Sequence, residues 1–363
     1  MVSVIIPVRN RPALLTDAVH SVLAQTYRPV EILIIDDSTD ETVVVARAFA
    51  HAHPGTITVL PQDGRGIGAA RNIGVRASRG EFIQFLDSDD VIMPAKFATQ
   101  VAALTARPGC GISYCATREY RMGEAWSGHP ARRSGVAFDY LFPALLEGRI
   151  WPAPSPLYRR SVVEAVGPFS LLSIFEDWEF ESRAGGLRVR LHHCAEVLAD
   201  KRDVHHREGR RKGGVPRRQS NEYAEVLLRL QSDALAAGVD APALERFTGT
   251  LFAAARLCAV SDREGDARRL IAVALPHAPA PFTRAAYRTY CAASDAVGWR
   301  VVAEWTEKAL GTTRRATARP VASYRRWRHR AQAARRITAG KPVSEWPELL
   351  RYSWIHRQSR RKA

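Results

Sequence analysis

Asp87 and Asp89 close the apolar run Glu81-Phe-Ile-Gln-Phe-Leu-Asp-Ser-Asp-Asp90, and their type and spacing suit them to hold a cation. A run this apolar predicts a strand buried on both faces, as in a parallel sheet, and an open α/β sheet places its ligands at the C-terminal ends of such strands. Residues two apart face oppositely while a strand continues, but in a turn after Leu86 both carboxylates can converge on one hard divalent ion. Oxygen ligands suit Mg²⁺ or Mn²⁺, which bridge to substrate phosphates. Taken alone, an Asp-x-Asp is more often a solvated acidic turn. Here the pattern recurs, because Glu31-Ile-Leu-Ile-Ile-Asp36-Asp37-Ser-Thr-Asp40 has the same form.

The elements that position these acids follow from the periodicity. Val2-Ser-Val-Ile-Ile-Pro7-Val8-Arg9-Asn10 is another buried strand ending in polar residues. Pro12 opens a helix in which Leu15, Val19, Val22 and Leu23 recur at helical spacing. A further strand, Thr56 to Leu60, precedes Gln62-Asp-Gly-Arg-Gly-Ile-Gly-Ala-Ala-Arg71-Asn72. Strands alternating with helices predict a doubly wound, mostly parallel twisted α/β sheet with a ligand crevice at the strand ends. The Gly64–Gly68 stretch lacks the dinucleotide fingerprint and the Walker Lys-Ser/Thr, which disfavours those cofactors.

In this order, S-V-I-I-P-V-R-N, I-I-D-D-S-T-D, G-I-G-A-A-R-N and F-L-D-S-D-D resemble the nucleotide-sugar half of family 2 inverting glycosyltransferases of the GT-A fold. Ser155-Pro-Leu-Tyr-Arg-Arg-Ser-Val-Val-Glu-Ala-Val-Gly-Pro-Phe and Glu176-Asp177-Trp-Glu-Phe resemble the acceptor half, so the likeness runs over residues 2–207. The resemblance implies that Pro7, Arg9 and Asn10 line a nucleoside pocket, with Asp37 on the base and Arg71 close by. It makes Asp89 the main metal ligand, Asp87 a ribose or metal contact, and Asp177 the catalytic base. Family members often place a histidine some 30 residues after the acid pair to complete the metal site or meet the diphosphate. Of His205 and His206, we expect His205 to be that ligand, with Arg207 able to neutralise phosphate.

The same chemistry can be argued from the residues. Glycosyl transfer from a nucleoside diphosphate needs a cation on the departing diphosphate, whose charge grows as the bond breaks. It also needs a base beside the acceptor hydroxyl, and a carboxylate desolvated by bulky neighbours suits that role. Asp177 is the candidate, with Trp178 and Phe180 as the bulk and Glu176 supporting it or touching the acceptor. An acid there can equally cap a helix over residues 178–183, and the two roles are compatible.

We expect three regions: an α/β domain over 1–215, a helical domain over 216–310 and a basic, aromatic-containing tail over 311–363. Of the net charge of +16, the segment Arg314–Ala363 carries +13, from 15 Lys+Arg against Glu345 and Glu348, which leaves +3 for the rest. Val321, Tyr324, Trp327, Ala331, Ala334 and Ile337 recur three or four apart, the pattern of a basic amphipathic helix suited to an anionic membrane surface. Nucleic acid is the weaker alternative for the tail, and a solvated terminus the bland one. The five cysteines form no paired framework or zinc spacing, and neither an 18-residue apolar segment nor a signal peptide is evident. From these features we expect a cytoplasmic protein, with the tail able to hold it peripherally at the inner membrane face. The expected partners are a nucleotide-sugar donor, a UDP-sugar above others, and a glycan or lipid-linked acceptor. The competing class is a non-catalytic sugar-nucleotide or nucleic-acid binding protein on the same fold.

Overall fold

The computed structural model describes residues 1–121, 130–203 and 215–308. Met1–Arg300 form one compact unit; of the second, Val301–Ala363, residues 301–308 are described and helical. His205, His206, Arg207 and the 311–363 tail lie outside the described residues.

Strands β1 (Val2–Val8), β2 (Val30–Asp36), β3 (Ile57–Pro61) and β4 (Phe82–Phe85) lie parallel in the order β3-β2-β1-β4. Their crossovers are the helices α1 (Pro12–Leu23), α2 (Thr42–Ala52) and α3 (Gly66–Ala77). The apolar runs become strands because both faces are covered. Val2, Val4, Ile6 and Val8 meet Leu15, Ala18, Val19 and Val22 of α1, and all eight are buried. Full burial of each such Val, Leu or Ile is worth roughly 1.5–3 kcal/mol. On the other face α3 approaches β1 so closely that a Cβ on Gly74 would lie 2.3 Å from Ile5 Cγ2.

Beyond β4 the sheet changes character. The full order is β3-β2-β1-β4-β7-β6-β8-β5, with β7 (Leu157–Arg159) antiparallel to both β4 and β6 (Ile112–Arg121). Strand β8 (Leu191–Asp203) runs parallel to β6, and β5 (Val91–Ile92) lies antiparallel on its outer edge. This half was not foreseen strand by strand: β5 and β7, of two and three residues, are too short to show alternation, and the longer β6 and β8 were not singled out.

Three further helices, α4 (Lys96–Thr105), α5 (Arg160–Val166) and α6 (Glu176–Gly186), pack on the sheet. The region after residue 215 is helical as expected: α7 (Ser220–Ala236), α8 (Ala241–Ala259), α9 (Glu264–Ala274) and α10 (Ala280–Val297). Of the apolar positions expected inside it, Leu227, Leu230, Leu251, Ala255, Leu270 and Ile271 are buried. Leu228, Phe252, Leu257 and Val273 are half-buried. Helix α7 packs on α6, and the Ser182 hydroxyl donates to Asp233 at 2.7 Å across that contact. No helix among the described residues is long and apolar enough to cross a membrane. All five thiols are free.

Candidate active site

The C-terminal ends of β1, β2 and β4 open on a cavity of about 460 Å³. Its lining brings together Pro7, Arg9, Asp37, Asp87 and Asp89 from the expected set, and adds Arg11 and Ser88. The glycine-containing loop that closes it takes up left-handed backbone at Gly64 (φ 74°) and Gly66 (φ 84°), which glycine adopts without a Cβ penalty. Asp37 fixes that loop by accepting from the Gly64 N–H at 2.8 Å, and Arg9 lies 3.5 Å from its other oxygen. Asn10 does not line the cavity. It is exposed, in left-handed backbone (φ 53°), and accepts from the Thr39 N–H at 2.9 Å, so it braces the turn after β2.

The acid turn gathers three carboxylates. Asp87, Asp89 and Asp90 each offer an oxygen within 4.8 Å of the others. Asp90 is buried, and burial, then the charges of Asp87 and Asp89, hold its proton affinity well above the ordinary carboxylate range. The Arg202 N–H donated to Asp90 at 3.0 Å works the other way. Three oxygens converging at a solvent-reachable turn, one of them buried beside two like charges, form a hard donor set that fits Mg²⁺ or Mn²⁺. Arg11 presently counters part of this charge through Asp89, at 2.9 Å. Asp90 and Arg11 were not singled out in the sequence, although Asp90 was visible as the fourth acid of the D-S-D-D motif.

Arg71 is 2 % exposed and does not line the cavity; it lies beneath it. Its guanidinium donates to Asp87 at 3.0 Å and to Glu176 at 2.7 Å, and it stacks over Phe169 at 5.3 Å. Burial would lower its proton affinity, but the two carboxylates more than offset that. The same side chain thus joins the acid turn to the start of α6. Below it, Phe169 and Phe180 stack at 4.1 Å with Phe85 edge-on to Phe169 at 4.9 Å, which seats α6 against β4. A Cβ at Gly68 would lie 2.1 Å from the Ser170 carbonyl, so the chain can pass over α3 only at a glycine.

Helix α6 begins at Glu176, two residues earlier than expected, after Phe175 in left-handed backbone (φ 61°). The turn before it is held by Glu222 of α7, which accepts from the Ser173 and Ile174 N–H groups at 2.6 and 3.1 Å. Asp177 Oδ1 accepts from the Trp178 N–H at 2.8 Å, which satisfies one of the free amides at a helix start. Its Oδ2 is ion-paired with Arg149. Trp178 is buried and edge-on to Phe175, and its indole Nε1 has no hydrogen-bond partner among the described residues.

Two further groups beside Asp177 were missed in the sequence. Glu181, one helical turn on and buried, accepts from the Trp151 Nε1 at 2.7 Å. Burial pushes its carboxyl up to about 7, against the opposing pull of Arg149 and Arg132. Arg149 is itself pushed down to about 10 by burial and then by the charge of Arg132. The one-turn spacing from Asp177 was a usable signal for Glu181, whereas Arg149 on its loop offered none.

Comparison with known proteins finds a matching family model, related sequences and a related fold. The family model described as Glycosyl transferase family 2 matches residues 3–167. An uncharacterized glycosyltransferase of Haemophilus influenzae is 27% identical over 183 residues, 50% of this chain and 60% of its own length. The minor teichoic acid biosynthesis protein GgaB of Bacillus subtilis is 33% identical over 98 residues, 26% of this chain and 11% of its own. The chain therefore spans at most about three fifths of these curated relatives. The structure of S. aureus TarS 1-349 in complex with UDP-GlcNAc has a TM-score of 0.63 at 18% identity, over 85% of this chain and 92% of that one, a likeness of fold. Residues 3–167 of this chain match glycosyl transferase family 2, and the fold that carries them is of the GT-A type.

Proposed function

We propose that this protein is an inverting glycosyltransferase that moves a sugar from a nucleoside-diphosphate sugar to a hydroxyl acceptor in one displacement. The observation that carries the reading is Arg71, which holds the acid turn and the start of α6 within one guanidinium of each other. A cation site and a general base so close together suit a reaction in which a diphosphate leaves as a hydroxyl attacks.

In this reading the nucleoside occupies the cavity lined by Pro7, Arg9 and Asp37, with Asn10 bracing its wall. Asp89, Asp87 and Asp90 would hold Mg²⁺ or Mn²⁺, and His205 remains a proposed fourth ligand outside the described residues. The ion, when bound, offsets the charge that develops on the leaving diphosphate. Asp177 takes the proton of the acceptor hydroxyl, whose oxygen forms the new bond to the anomeric carbon as the bond to the diphosphate breaks. Glu176 and Arg71 fix the helix start, and Trp178 packs behind it. A UDP-sugar is favoured by the TarS complex with UDP-GlcNAc, and a glycan or lipid-linked acceptor remains the proposed class, GgaB being named for teichoic acid biosynthesis.

The test is the stereochemistry of the product. Incubation with Mn²⁺ and an α-linked UDP-sugar should give a β-linked glycoside by NMR. A retained anomer would reject single displacement, and Mn²⁺-independent donor binding without turnover would favour a non-catalytic binding protein.

A further inference from the structure

The candidate base is occupied. Asp177 has two carboxylate oxygens, one receiving the Trp178 N–H and the other the Arg149 guanidinium, so Arg149 stands where an acceptor hydroxyl must deliver its proton. A second cation lies close enough to repel it. Arg132 is exposed, and its guanidinium donates to the Trp151 carbonyl at 2.7 Å. Its backbone is left-handed (φ 53°), a conformation that costs a non-glycine residue about 1–3 kcal/mol and persists where the surroundings impose it. Neither arginine lines the nucleotide cavity, whose own arginines are Arg9 and Arg11.

Charge balance points the same way. With Asp177 ionised, one guanidinium is neutralised. Once Asp177 has taken a proton, Glu181 is the foremost remaining carboxyl acting on both Arg149 and Arg132, ahead of Glu176 and Asp87, and burial pushes its carboxyl up to about 7. Arg71, the next cation, is already committed to Asp87 and Glu176. Two guanidinium groups left beside a neutral acid form an anion site.

We propose that the acceptor carries a phosphate or comparable anion near its reacting hydroxyl, and that this anion draws Arg149 from Asp177 and thereby exposes the base. The substrate's own charge then selects the acceptor, because a neutral polyol leaves the base masked. The proposal rests on Asp177 being the base, but its test needs no glycosyl transfer.

The full-length protein, saturated with UDP and Mn²⁺ so that the donor's phosphate positions are filled, is titrated calorimetrically with glycerol 3-phosphate, inorganic phosphate and glycerol. Both anions should bind, and glycerol should bind at least tenfold more weakly. Arg149→Gln and Arg132→Gln should each weaken anion binding about tenfold and leave UDP affinity unchanged. Asp177→Asn removes the internal competitor for Arg149 and should tighten anion binding severalfold, a gain that a damaged fold would not produce. Equal binding of glycerol and the phosphates, no binding of either, or no tightening in Asp177→Asn would overturn the proposal. Loss of UDP affinity in Arg149→Gln would overturn it in favour of the donor diphosphate as the anion. Loss of transfer activity in Asp177→Asn bears on the base assignment and leaves these binding results to be read separately.

Discussion

The two sides of the proposed site are built differently. On the donor side, side chains sit on turns at the ends of parallel strands, and the cations there (Arg9, Arg11) pair directly with Asp37 and Asp89 in the lining of a 460 Å³ cavity. On the acceptor side, Asp177 and Glu181 rise from one helix, and the arginines that control them come from loops between β6 and β7. A strand-end turn has its position imposed by the whole sheet. A helix start has to be braced, and here Glu222, Arg71 and the aromatic stack do so. The donor side can therefore be general to the fold, while the acceptor side is free to vary with the hydroxyl it serves.

Arg71 is the element common to both sides, so removing it tests the comparison hardest. Arg71→Met leaves Glu176 buried without its partner and should cost about 3–5 kcal/mol of stability, read from urea unfolding. A loss below about 1 kcal/mol would mean that the two sides do not depend on one another through this residue.

The next effect belongs to the acceptor side alone. Folding raises the Glu181 carboxyl from 4.5 to about 7, so between these values the native state binds a proton that the unfolded chain releases. Stability from this group is therefore highest below pH 4.5 and falls as pH rises through 7, by up to roughly 3 kcal/mol. Glu181→Gln keeps an acceptor for the Trp151 indole and should flatten that fall, which makes the variant more stable than the parent at pH 8.5. Parallel pH profiles of the two urea midpoints would show that Arg149, Arg132 and Arg71 already keep Glu181 ionised.

The smallest of these effects is confined to the donor side. Asp89→Ala should remove the metal-dependent part of donor affinity, on the order of 10- to 100-fold, with unfolding midpoints little changed because Asp89 lies at the cavity surface. Mn²⁺-dependent affinity equal to the parent's would move the metal assignment to Asp87 and Asp90.

The same contrast decides what could be read from the chain. β1, β2 and β4 were legible because a strand covered on both faces must be a continuous apolar run, and the polar residues that end it mark the crevice. Asp37, Asp87 and Asp89, which end such runs, do line the cavity at the strand ends. Arg71 was expected close to the nucleoside pocket; it is buried beside the cavity rather than lining it, because a buried arginine is defined by the carboxylates it meets, and these are 16 and 105 residues away in sequence. Arg149 and Arg132 lie on loops with no periodicity, so the pairing of Arg149 with Asp177 and the closeness of both arginines to Glu181 follow from the antiparallel β7 insertion. β7 has three residues, too few to announce itself. Glu181 was one turn from a recognised acid and could have been found by helical spacing alone.

The central claim is that Asp177 takes the acceptor's proton. Asparagine at this position can still receive the Trp178 N–H, so Asp177→Asn separates the base from the helix-start role. The measurement is the initial rate of sugar transfer at saturating donor, together with donor affinity from calorimetry on the same preparation. The account predicts a fall in rate on the order of 10²-fold or more with donor affinity unchanged. Parental transfer rates in the variant would contradict it and leave Asp177 with the helix start alone.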